Sequence, residues 1–156
     1  MISISSFFYS IPSEIRDFID AEARAMPGCS LGVMCGPAWA SLKMSSEQWG
    51  NLRWLDRLED HLRGSDPQIR DRRIDWWFTR LEKGGEVLHH NHSDAMLAGA
   101  YYPDKFGGRL WIECDSPNGQ EFNFAYGTLV VLPGDMAHAV SPSPGVRRSV
   151  AFNIYA

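Results

Sequence analysis

Two kinds of hydrophobic patterning divide the chain. In the first half, apolar residues recur at helical spacing. Ser13 is placed to cap a helix over Glu14–Met26, in which Ile15, Phe18, Ile19, Ala23 and Met26 form one stripe that Pro27-Gly28 stops. A second helix is signalled from Ser45, where Gln48 three residues on makes a capping-box pattern. Trp49, Leu52, Leu55, Leu58 and Leu62 then return every three or four positions until Gly64-Ser-Asp-Pro67 ends the run. A stripe of this kind packs against a sheet, and His61 at its edge is a partly solvated surface position.

After about Arg73 the period changes. Ile74–Leu81, Ala95–Tyr102, Leu110–Ile112, Phe122–Phe124, Thr128–Leu132 and Ser149–Tyr155 are rich in β-branched and aromatic residues. Between them lie turn formers: Lys83-Gly-Gly85, Pro103-Asp104 with Gly107-Gly108, Asn118-Gly119, Gly127, Pro133-Gly134 and Pro142-Ser-Pro-Gly145. Short strands at regular spacing predict a β-sandwich or barrel. The expected fold class is therefore α+β, a jelly roll over about residues 74–156 with the helices of about residues 1–66 packed on one sheet. The 156 residues fit one domain, and no internal repeat marks a second.

Composition narrows the partners. Hydrophobic residues are 44% and charged residues 22% of the chain, as in globular proteins. A net charge of −4 argues against the phosphate backbone of nucleic acid as a partner. Runs such as Thr128–Pro133 are too short to span a bilayer, and Met1–Tyr9 lacks a basic n-region and a small-residue cleavage site. Cys29, Cys35 and Cys114 are odd in number and lack Cys-x-x-Cys spacing, which speaks against a disulfide framework or a cysteine zinc site. The expectation is a cytoplasmic protein with no nucleic-acid or membrane partner.

Chemistry concentrates in the second half. Of five histidines, His89, His90, His92 and His138 lie there. Alternate residues of a strand share a face, so His90 and His92 point one way, and Asp94 joins them if the strand continues. One stretch thus offers either His-x-His or His-x-Asp to a point in space, and His138 would complete three ligands. Two imidazoles and a carboxylate leave three positions open on an octahedral ion, the arrangement of non-haem Fe(II) oxygenases. Arg147 follows His138 nine residues later and shares a strand face with Ser149. A planar guanidinium beside a hydroxyl suits the distal carboxylate of a dicarboxylic acid, and a buried Arg needs an anion to meet it.

These residues resemble the Fe(II)- and 2-oxoglutarate-dependent dioxygenases, whose core is a double-stranded β-helix, a cupin-like jelly roll. Within them the chain is most similar to a set of uncharacterised 2-oxoglutarate oxygenases. The resemblance is carried by Trp77, Gly84, His90-Asn-His92 and Ala98-Gly-Ala-Tyr-Tyr102, then by Gly127–Pro133, His138 and Arg147-Arg-Ser-Val-Ala-Phe-Asn153. Prolyl-hydroxylase-like members also share the Tyr101-Tyr102 strand and the Gly107-Gly-Arg-Leu110 turn. It covers about Trp77 to Asn153, half the chain.

The resemblance implies that His138 is the distal iron ligand, that Arg147 and Ser149 grip the C5 carboxylate of 2-oxoglutarate, and that Tyr102 can hydrogen-bond it. Two ligand sets stay open: His92, Asp94 and His138, favoured because a carboxylate helps neutralise Fe(II), or His90, His92 and His138. Many members of the similar set carry His-x-His-Pro, where this chain has Ser93-Asp94. The cofactors implied are Fe(II), 2-oxoglutarate as cosubstrate and O₂. The activity implied is hydroxylation of a C–H bond in a small molecule, amino acid or peptide, with 2-oxoglutarate converted to succinate. Substrate contacts are expected from Trp76, Trp111, the Asp94–Met96 turn, the Tyr102–Gly108 loop or a second copy in a homodimer, whereas Arg80 and Arg109 read first as solvated surface charges and only second as anchors for an acidic substrate. The competing readings are a cupin-type dioxygenase without 2-oxoglutarate and a small-molecule-binding jelly roll. A cupin's first motif should carry a Glu soon after its histidines, and none lies between Ser93 and Lys105.

Overall fold

A computed structural model describes residues 2–7, 11–28, 32–105, 109–114 and 118–156. Cys29, the Gly107-Gly108 turn and the end of the Tyr102–Gly108 loop lie outside them. The first helix, α1, spans Pro12–Ala25 and the second, α2, spans Arg53–Ser65. Pro12 occupies the first turn, where its missing N–H costs nothing. Ile11 is the N-cap, so Ser13 lies inside α1 instead of capping it. The Ser45–Gln48 capping box does form, with reciprocal bonds of 2.9 and 3.2 Å. Its turn is cut short because Gly50 and Asn51 take left-handed backbone, with φ of 90° and 54°, and α2 starts afresh after Leu52.

Among the described residues eleven strands follow in this order: β1 Ser3–Ser6, β2 Met34–Cys35, β3 Ala38–Ala40, β4 Ile74–Leu81, β5 Glu86–His90, β6 Leu97–Tyr102, β7 Leu110–Ile112, β8 Gln120–Phe122, β9 Thr128–Pro133, β10 His138–Val140 and β11 Arg147–Ile154. They form a six-stranded sheet ordered β1-β9-β6-β11-β4-β3 and a five-stranded sheet ordered β2-β5-β10-β7-β8. The pairings are antiparallel. This is the α+β double-stranded β-helix. Three strands, β1 to β3, come from the part of the chain that reads as helical. They are too short to show a period, and only their partners make them strands. Between β2 and β3 the chain passes from one sheet to the other at Gly36-Pro37, where Gly36 has a φ of 73° and a Cβ would press on the Gly84 carbonyl at 2.9 Å.

Strict alternation along β4 and β11 sorts the six-stranded sheet into two faces. Ile74, Trp76 and Phe78 of β4 and Val150, Phe152 and Ile154 of β11 point outward and are buried under Ile15 and Ile19 of α1 and Trp54, Leu55, Leu58 and Leu62 of α2. Each such side chain gains ~1.5–3 kcal/mol from leaving water. Trp49 joins this layer, donating its indole N–H to the Trp76 carbonyl at 2.9 Å and meeting Phe78 edge-on at 4.6 Å. The opposite face looks into the roll, where Leu81, Tyr102, Val130 and Leu132 meet Leu110, Ile112 and Val140 of the five-stranded sheet. Among the described residues no helix is long and apolar enough to cross a membrane.

Candidate metal centre and adjoining cavity

Sheet register brings the first two histidines together. His90 ends β5, His138 opens β10, and the two are direct partners across the ladder. After His90 the chain leaves the sheet but is held close by the backbone. The His92 N–H donates to the Gly134 carbonyl at 2.7 Å, and the Ala95 N–H to the His92 carbonyl at 2.8 Å. A Cβ at Gly134 would collide with the Ala95 and His92 carbonyls, so this approach requires glycine. The result is a compact imidazole cluster, with ring centroids separated by 4.3 Å (His90–His138), 4.9 Å (His90–His92) and 5.1 Å (His92–His138). Ligand-capable atoms of the three all lie within 4.8 Å of one another.

Two of the rings are oriented from behind. Nδ1 of His90 hydrogen-bonds the Leu88 carbonyl at 2.8 Å, and Nδ1 of His138 the Met136 carbonyl at 3.1 Å. A carbonyl only accepts, so each Nδ1 carries the proton and Nε2 keeps its lone pair. Burial, reinforced by the neighbouring imidazoles, lowers the His92 pKa to about 3, and burial lowers that of His138 to about 4. His90 is lowered by burial as well. Neutral imidazoles with free lone pairs are what a metal ion requires.

Asp94 is placed differently. β5 ends at His90 and the chain turns at Ser93-Asp94, so alternation does not carry Asp94 onto the shared face. It is exposed and lines the cavity beside the histidines, outside the three-histidine cluster. His89 points to the other side of its sheet and stacks on Trp111 at 4.3 Å.

The cavity has a volume of about 290 Å³. Besides the histidines it is lined from the six-stranded sheet by Thr79, Tyr102, Arg147 and Ser149, among apolar walls such as Val130 and Leu132. Arg147 is 4% exposed, and its Cζ lies 5.7 Å from the centroid of the Tyr102 ring. The Ser149 and Thr79 hydroxyls, paired in register, hydrogen-bond each other. Burial lowers the Arg147 pKa to about 10, against the pull of Tyr102 and Asp104, which leaves it a cation at neutral pH. Burial also pushes the Tyr102 hydroxyl up, keeping it a neutral donor.

The two expected tryptophan contacts face elsewhere, as do Arg80 and Arg109. Trp76 is fully buried under the helices, donating its indole N–H to Glu59 at 2.9 Å. Arg80 donates to Asp20 of α1 at 2.8 Å on that same outer face. Trp111 lies outside the five-stranded sheet with its N–H on the Asn118 carbonyl at 2.9 Å, and Arg109 pairs there with Glu121 at 2.7 Å. Each is one position out of phase with the cavity. Trp77 and Thr79 are the residues in phase, legible from alternation once Leu81 is placed inside. Lys43 and Met34, which also line the cavity, come from the crossover region and carry no periodic signal.

No protein-family model matches the chain, and no curated protein matches it. Solved structures do. A Pseudomonas putida prolyl-4-hydroxylase superposes with a TM-score of 0.71 at 16% identity, over 99% of this chain and 91% of that one. A Trichoplax adhaerens prolyl hydroxylase, solved with a peptide fragment of a hypoxia-inducible factor, gives 0.73 at 14% identity over 99% and 83%. An oxidoreductase of the 2OG-Fe(II) oxygenase family from Burkholderia pseudomallei gives 0.65 at 16% identity over 99% and 84%. At these identities the likeness is one of fold, and it extends through the helices as well as the roll.

Proposed function

We propose that the protein is an Fe(II)- and 2-oxoglutarate-dependent oxygenase that hydroxylates a C–H bond of a small molecule, amino acid or peptide. One observation carries this reading: three neutral imidazoles converge in the same cavity that holds a buried arginine beside paired hydroxyls. The donor set fits the ion, because imidazole nitrogens suit iron and three of them would leave positions open for cosubstrate and O₂. The cation fits the cosubstrate, because a guanidinium in an apolar cavity is stabilised by a carboxylate. Bound iron with 2-oxoglutarate and O₂ supplies the oxidant, while 2-oxoglutarate leaves as succinate and CO₂.

In this reading His90, His92 and His138 hold the iron, with the Leu88 and Met136 carbonyls fixing two of the rings. Arg147 and Ser149 receive the C5 carboxylate, with Tyr102 as a further donor. Val130, Leu132 and Leu110 exclude water from the site. Fold likeness to prolyl hydroxylases, one of them holding a peptide, supports a peptide or small-molecule substrate. The mutual distances of the imidazoles favour the three-histidine set over one that includes Asp94.

Anaerobic titration with Fe(II) and then 2-oxoglutarate tests the reading through a weak charge-transfer band in the visible. His90→Ala is expected to lose the iron and Asp94→Ala to retain it. Iron lost from Asp94→Ala but kept by His90→Ala would restore the carboxylate triad, and the absence of any 2-oxoglutarate-dependent band would sink the oxygenase assignment.

A further inference from the structure

Among the described residues the cavity wall carries three charged side chains besides the histidines: Arg147, Lys43 and Asp94. The proposed function employs only Arg147. Lys43 precedes the isolated bridge at Met44 and is exposed, and its ammonium lies 4.5 Å from the centroid of the Trp77 ring. That ring is 4% exposed and its centroid is 5.8 Å from that of His92. The cation therefore sits beside the metal centre. None of the ion pairs among the described residues involves it.

A fixed ammonium close to a dication is unfavourable unless an anion separates or joins them. At the exposed end of the wall Lys43 is the cation among the described lining residues, its ammonium held over the Trp77 ring. We propose that Lys43, seated on Trp77, is the specificity-determining contact for a carboxylate on the substrate. The enzyme then oxidises a C–H bond in a molecule that carries an acid group near the reacting carbon. Arg147, deep in the roll, is kept for the cosubstrate.

This inference rests on the oxygenase reading, and the experiment separates the two. The full chain is loaded with redox-inert Zn(II) and saturating 2-oxoglutarate. Binding is then measured by ligand-observed NMR for a set of N-acetyl-amino acids and their matched carboxamides, which differ only in the charge. Acids are expected to bind about tenfold more tightly than amides, as for a charge-assisted contact. Lys43→Met should erase that preference and Lys43→Arg should keep it, while Zn(II) content and 2-oxoglutarate affinity stay at wild-type values. Equal binding of acids and amides, no binding by any acid, or a preference that survives in Lys43→Met would overturn the inference. So would a loss of 2-oxoglutarate affinity in Lys43→Met, since Lys43 would then serve the cosubstrate. Failure of the wild-type chain to take up Zn(II) or 2-oxoglutarate would overturn both readings, by a signal that precedes any probe.

Discussion

The two faces of the six-stranded sheet use the same residue types for opposite ends. Trp76 and Trp77 are chain neighbours, as are Arg147 and Arg148. The outward member of each pair builds the helix–sheet interface. Trp76 fills the core under α2, and Arg148 donates Nε and Nη2 to the two carboxylate oxygens of Asp20 at 2.8 and 2.7 Å, and Nη1 to Asp104 at 3.1 Å. The inward members line a cavity: Trp77 carries Lys43 on its face, and Arg147 is buried among Tyr102, Thr79 and Ser149. A planar cation can therefore serve as scaffold or line a ligand site, depending on the face of the sheet it occupies. Asp20 answers Arg148, whose hydrogen bond holds the Asp20 carboxyl below its usual range. For Arg147 we assign the carboxylate to 2-oxoglutarate.

Substitutions on opposite sides of the sheet should separate these roles. The largest effect is expected for Trp76→Ala, which empties a closed site and should cost about 3–5 kcal/mol in denaturant unfolding. Trp77→Ala opens onto a cavity that already admits solvent, so its loss of stability should be clearly smaller; equal losses would refute the division of faces. Next comes the arginine pair. Arg147→Met should weaken 2-oxoglutarate binding by about 100-fold in calorimetry, the scale of a buried charge-assisted contact, with little change in unfolding temperature. Arg148→Met should do the reverse, costing about 2 kcal/mol of stability because two carboxylates lose their shared partner. A parallel response of both variants in both assays would show that the faces are not independent.

The smallest effect concerns pH. Free imidazoles protonate near 6.5 and would release metal there, but those of His92 and His138 stay neutral down to about 3 and about 4. Metal content should hold level as pH falls from 7.5 to about 5, provided the fold persists. The same shifts make the metal-free protein less stable as pH falls below the unfolded-state value of 6.5, because the unfolded chain then binds protons that the folded one refuses. A metal-uptake curve with its midpoint near 6.5 would mean that the imidazoles are not held neutral by the fold.

Much of this arrangement is legible in the sequence. β4 is readable with its true limits, Ile74–Leu81, because Ile74, Trp76, Trp77, Phe78 and Thr79 are strong strand formers and the Lys83-Gly-Gly85 turn follows. Phe122-Asn-Phe124 alternates as a strand would and predicts β8 two residues later than the ladder with β7, which uses Gln120–Phe122. The Ser45–Gln48 box was real, but Gly50 and Asn51 cut its helix short. His90, His92, His138, Arg147 and Ser149 could all be named from spacing, and all five line one cavity.

Periodicity is a local property, so the sequence by itself determined the strands long enough to repeat, the jelly-roll class they imply and the residue types that carry the chemistry. Tertiary structure decided what depends on contacts between distant segments. The short strands β1 to β3 exist only as partners of β9, β5 and β4. Phase decided that Trp77 and not Trp76 meets the cavity, and the turn that Gly134 ties down left Asp94 outside the imidazole cluster. Lys43 reached the site because its segment lies against β4 at the Met44–Trp76 bridge. Alternation fixes a side chain's direction only while a strand continues, and where strands end, packing against the other sheet sets it instead.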